Sequence, residues 1–152
     1  MALAPTSLPM PPGRLLLDTN VVVSAMLWGG PPRYLLNLAL DGQLVLVSST
    51  ALLAELRHTL GYARLAKRLA LLNTSVATLM QEYQAIVTLV QLVEVAPVIP
   101  DDPDDDVVVA TALAGQAELI VSGDRHLLKL QSHAGIAIVT ARVAWERLTP
   151  KG

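Results

Sequence analysis

The chain has 152 residues, 53% of them hydrophobic, 16% charged and 3% aromatic, with no cysteine and a formal net charge of −2. That length suits one domain of ordinary size, and a mean hydropathy of +0.50 excludes disorder of the polar, highly charged kind. The lack of cysteine excludes disulfide scaffolds, thiolate metal sites and cysteine nucleophiles.

Met1–Gly13 holds four prolines and no positive charge. It reads as a disordered tail ahead of a single domain over 14–150, with no signal peptide and a cytoplasmic location expected. Arg14–Asp18 is a short apolar run ending in an acid, which suits a buried strand. Asn20–Leu27 follows as a helix, broken by Gly29-Gly30-Pro31-Pro32. Arg33–Leu40 has helical spacing of apolar residues, and Gln43–Val47 reads as a second strand. Ser48-Ser49-Thr50 offers hydroxyl caps for a helix over Ala51–Leu60.

Two apolar helices are expected over Tyr62–Leu72 and Ser75–Glu94. Asp101–Asp106 reads as a turn into a helix over Val107–Gln116, with acids at the end where the dipole favours them. A third strand over Leu119–Ser122, a short helix Arg125–Leu130, a fourth strand Ile136–Val139 and a helix Ala141–Leu148 complete the chain. Short aliphatic strands alternating with helices imply an α/β fold with a parallel sheet covered on both faces. A membrane span would need about 20 consecutive apolar residues. The longest uncharged runs, Thr19–Pro32 and Leu69–Gln81, are interrupted by Gly, Pro, Asn or Thr, so no membrane partner is expected.

Ligands of open parallel sheets sit beyond the carboxyl ends of the strands. Asp18 follows the first strand there, and Ser122 and Asp124 close the third. Glu55 lies two turns into the helix after strand two, and Asp104, Asp105 and Asp106 open the helix before strand three. Each acid has an ordinary reading: Asp18 as a helix cap, Glu55 as a solvated side chain, the Asp run as a turn, Asp124 as a turn residue. Their conjunction on one rim is what suggests a site. Carboxylates gathered without cations repel one another unless a divalent ion joins them. Oxygen-only ligands point to Mg²⁺ or Mn²⁺, and such ions suit hydrolysis of a phosphodiester.

Leu16-Leu17-Asp18-Thr19-Asn20-Val21, Leu52-Leu53-Ala54-Glu55-Leu56, Asp102-Pro103-Asp104-Asp105-Asp106 and Val121-Ser122-Gly123-Asp124 together resemble the PIN domain, most closely the VapC-like toxins. The resemblance runs from Arg14 to Leu148. It implies a Rossmann-like three-layer α/β/α sandwich and an Mg²⁺- or Mn²⁺-dependent ribonuclease, the toxin of a toxin–antitoxin pair. By the same resemblance Asp18, Glu55, Asp105 and Asp124 are the catalytic acids, and Asp18, Asp105 and Asp124 the metal ligands. Asp106 is the alternative to Asp105, since neighbouring helical residues point about 100° apart. Asn20 and Ser122 match polar positions that orient the carboxylates. The chain departs from the family at Val107-Val108, where a Lys and an aromatic are common, and at Ser122, where Thr is commoner.

An RNA substrate would need cations beside that rim. Arg57, His58, Arg64, Lys67 and Arg68 follow Glu55, while Arg125, His126 and Lys129 follow Asp124. Arg125 and Arg57 are the expected substrate contacts, and a solvated helical face is the other reading of these cations. The five aromatics, with no Phe, argue against RNA held by stacking bases on a sheet. The resemblance implies a homodimer and a small antitoxin as partner. Two other functions compete. A haloacid-dehalogenase-like phosphatase would need an Asp where Asn20 stands, and a PIN-fold binder of RNA or protein without catalysis would be expected to lack an acid.

Overall fold

The computed structural model describes residues 13–92 and 103–149, with the side chains of 103–105 outside that description. Residues 1–12 of the proposed tail over 1–13, Glu94 and the first residues of the acidic run therefore lie outside the described residues, whereas Gly13 belongs to the first strand and not to a tail. β1 (Gly13–Leu17) leads into α1 (Thr19–Leu27), with Asp18 as its cap. Pro31 and Pro32 occupy the first positions of α2 (Pro31–Leu40), where a missing N–H costs nothing. Gly30 stands before them at φ 81°, a conformation an L side chain would strain.

β2 (Leu44–Ser48) is followed by α3 (Thr50–Leu60), capped by Ser49 Oγ accepting from the Leu52 amide. A 3₁₀ turn (Ala63–Leu65) precedes α4 (Ala66–Leu71), then α5 (Val76–Ile86), capped by Ser75. β3 (Val87–Leu89), α6 (Pro103–Ala114), β4 (Leu119–Val121) and α7 (Arg125–Leu130) come next. The chain closes with β5 (Ser132–His133), β6 (Ile136–Val139) and α8 (Ala141–Leu148).

Four differences from the sequence reading go beyond a shift of one or two residues at an element's end. The helix expected to reach Glu94 stops at Ile86, and Val87–Leu89 pairs in parallel with Leu46–Ser48. The Val-Thr-Leu run meets the open edge of β2, so a β-prone segment satisfies its backbone there. The tract over Tyr62–Leu72 is divided into a 3₁₀ turn and a short helix. The helix expected from Val107 starts at Pro103, so the run Asp104-Asp105-Asp106 forms its first turn and not a preceding turn. Residues Ser132–His133 add an antiparallel edge strand, joined to β6 through Ala134 and Gly135, both at positive φ, as a tight hairpin requires.

The sheet order is β3-β2-β1-β4-β6-β5, parallel throughout except for β5. Alternation along the strands sends Leu15, Leu17, Leu46 and Val121 to one face, packed with α1, α2, α3, α5 and α8. Leu16, Val47, Ile120 and Ile138 pack on the other with Val108, Val109 and Ala112 of α6 and Leu127 of α7. The result is the three-layer α/β sandwich expected from the sequence. Leu65, Leu69, Leu79, Met80 and Tyr83 of the two apolar helical tracts are buried in the first core, whereas Leu71 and Leu72 are exposed. No helix among the described residues is long and apolar enough to cross a membrane.

Candidate active site

The chain builds β2 and β3 to one side of β1, then returns to place β4 on the other. The crevice beyond the carboxyl ends of β1 and β4 is therefore the point where the winding reverses. Leu17 is in register with Val121, and the Asp18 amide donates to the Val121 carbonyl at 2.9 Å. The Ser122 amide donates to the Val139 carbonyl, also at 2.9 Å. The ladder thus runs one residue past both strands and holds Asp18 and Ser122 side by side.

Asp18 is buried, at 7% exposure, and Ser122 more so, at 1%. Ser122 Oγ donates to Asp18 Oδ2 at 2.8 Å, while Asp18 Oδ1 accepts the Thr19 amide at 2.9 Å. A carboxylate has about four acceptor positions, so these two bonds alone do not exhaust it. The cap and the site are thus compatible roles for one side chain. The Asp124 amide donates to the same Ser122 Oγ at 2.9 Å. Ser122 therefore ties the first acid to the backbone of the later one. Asp124 Oδ1 caps α7 by accepting from the His126 amide at 2.7 Å, with the imidazole Nδ1 3.6 Å away.

The remaining acids come from α3 and α6. Asp106 is buried in the first turn of α6. Asp105 lies beside it in that turn, with its side chain outside the described residues. Glu55 is partly buried on α3. These two helices are joined by a buried pair that the sequence reading did not single out: Thr111 and Ser49 hydroxyls are hydrogen-bonded at 3.0 Å. Thr111 Oγ1 also meets the Val107 carbonyl at 2.8 Å. Its only sequence signal is a lone hydroxyl within the apolar run Val107–Ala114. The contact fixes the acid-bearing start of α6 against the cap of the helix that carries Glu55.

Asn20, Arg57 and Arg125 are exposed. Asn20 makes no side-chain hydrogen bond with Asp18 among the described residues. Also among the described residues, no three carboxylates or imidazoles close on one point as a metal cage. The donor chemistry fits a hard divalent ion nonetheless. Asp18 and Asp106 are buried carboxylates, and carboxylate oxygens are the ligands that such an ion prefers.

The family model described as PIN domain matches residues 14–126, about three quarters of the chain. A search of curated proteins returns no match.

Proposed function

The chain belongs to the PIN-domain family, whose fold is in general a nuclease fold, and on that premise we propose that it is an Mg²⁺- or Mn²⁺-dependent endoribonuclease. The proposal extends to its role as the toxin of a VapC-like toxin–antitoxin pair, working in the cytoplasm as a homodimer with a small antitoxin as partner. The observation that carries the enzymatic part is the Asp18–Ser122–Asp124 linkage at the reversal point of the sheet.

Asp18, Asp105 and Asp124 would hold the ion, with Asp106 the alternative at the third place. A bound divalent ion polarises a phosphoryl oxygen and acidifies the water that attacks phosphorus. The protein's part is to place and restrain the acids. Ser122 locks the Asp18 carboxylate in one orientation through Oδ2, so it is ordered before substrate arrives. Glu55, on the adjoining helix, would take up a proton at that rim. Arg125, next to Asp124, and Arg57, two residues beyond Glu55, would meet the substrate phosphates. Asn20, one residue into α1, would help orient the acids or the substrate.

The test is cleavage of a defined RNA panel with Mn²⁺, with EDTA, and with Asp18→Asn. Cleavage should require the ion, stop with chelator, and fall in the variant by more than the roughly 10- to 100-fold that losing a supporting partner costs. Binding of RNA without any metal-dependent cleavage, unchanged by Asp18→Asn, would instead favour a binding-only protein.

A further inference from the structure

Resting on the ribonuclease reading, we infer that Trp28, Tyr62 and the arginines stacked on them form a second contact region for single-stranded RNA, away from the acidic rim. The first observation is charge. Between Glu55 and Glu82 the chain contains no Asp or Glu, yet it carries Arg57, His58, Arg64, Lys67 and Arg68 in a molecule of net charge −2. Among the described residues none of these cations has a carboxylate within salt-bridge distance.

The second observation is two large rings at the surface. Trp28 is 48% exposed and Tyr62 37%. Each ring is overlaid by a guanidinium: Arg68 Cζ lies 5.5 Å from the Trp28 ring centre, and Arg64 Cζ 4.7 Å from that of Tyr62. His58 meets Tyr62 edge-on at 5.3 Å. Arg68 is held in place because its Nε donates to the Leu27 carbonyl at 2.7 Å. The bond to the Leu27 carbonyl accounts for Arg68. It does not account for Arg57, Arg64 and Lys67, which form no salt bridge among the described residues, or for an exposed Tyr62.

Alternating planar rings and cations match what single-stranded nucleic acid requires, since every base offers a π-face and every nucleotide a phosphate. Position fits as well. α1 starts beside Asp18 and Trp28 follows its last residue, a separation of about 15 Å along the helix. Asn20, Ser24 and Trp28, spaced by four, share one face of α1 and none is buried. A strand a few nucleotides long, leaving the rim along that face, reaches the rings. The stacking is at helix ends, not on the sheet.

The test is anisotropy of a short labelled, unstructured RNA in EDTA, where no cleavage occurs, against a duplex of the same composition. Trp28→Ala and Tyr62→Ala should each weaken single-strand binding by roughly 5- to 100-fold and leave duplex binding nearly unchanged. Trp28→Phe should restore most of the loss, and Arg64→Gln should lower the salt slope by about 1. Trp28 is 48% exposed and Tyr62 37%, so each alanine variant loses some packing, and circular dichroism at the assay temperature should show both variants folded. Unchanged binding in both alanine variants overturns the inference, as does equal loss on duplex. Polyglutamate that displaces RNA and depends on the same two rings makes the region a protein dock and also overturns it. If wild-type protein cleaves RNA with Mn²⁺ while the ring variants bind normally, only this region is refuted. Wild-type protein that neither binds nor cleaves RNA refutes the ribonuclease reading and this inference together.

Discussion

Ser122 Oγ donates to Asp18 Oδ2 and accepts the Asp124 amide, so one hydroxyl uses both halves of its hydrogen-bonding capacity at 1% exposure. Removing it leaves a part-buried amide and a buried carboxylate each one hydrogen bond short. Ser122→Ala should therefore cost about 1–3 kcal/mol of stability, read from denaturant melts. The same variant should bind Mn²⁺ roughly 10- to 100-fold more weakly by calorimetric titration, whereas Ser122→Thr, which keeps the hydroxyl, should stay near wild type. Asp18 and Ser122 were both legible as strand-end residues in the sequence. Their mutual bond was not, because it joins residues 104 positions apart.

α6 shows how an element can be read correctly in kind and wrongly in extent. Its acids and its apolar run were plain, yet the helix takes in Pro103 and the Asp run as its first turn. Proline is at home there, and three carboxylates near the positive end of the helix dipole are favoured. The other end is set by contact: a Cβ on Gly115 would lie 2.9 Å from Val47 Cβ and Cγ1, inside ordinary contact distance. Arg14 Nε donates to the Gly115 carbonyl at 2.7 Å, tying that close approach to β1. Gly115→Ala should thus destabilise the protein by roughly 1–3 kcal/mol. In chemical denaturation its cost should shrink when Val47→Ala is present, and equal costs in both backgrounds would show that the contact is not the cause.

The whole molecule is held by two cores on opposite faces of one sheet, and Tyr83 of α5 sits in the larger of them at 3% exposure. Burial disfavours the phenolate and pushes the Tyr83 pKa above its ordinary value. The unfolded chain therefore loses that proton first, near pH 10, so it binds fewer protons than the native state there. Stability is unaffected by this group below that pH and declines as pH rises beyond it. Urea melts from pH 8 to 11 should show this alkaline loss, and Tyr83→Phe should reduce it while changing neutral-pH stability by less than about 1.5 kcal/mol. An unchanged alkaline slope in the variant would assign the loss to other groups.

Local chemistry in the sequence determined that Asp18 and Ser122 directly follow buried strands with Asp124 two residues beyond Ser122, that Glu55 rides an amphipathic helix, and that helices cover both faces of a parallel sheet. Those features depend on residues close together in the chain, through period, capping and strand burial. The sheet order, the pairing of β3 with β2, the antiparallel β5, and the Ser49–Thr111 link were decided only by tertiary structure. Each depends on which distant segment arrives alongside. Val87–Leu89 had the apolar content of a helix end until an open strand edge offered its backbone partners. Burial, backbone pairing and the reversal of winding between β1 and β4 then joined Asp18, Ser122 and the Asp124 amide across one crevice.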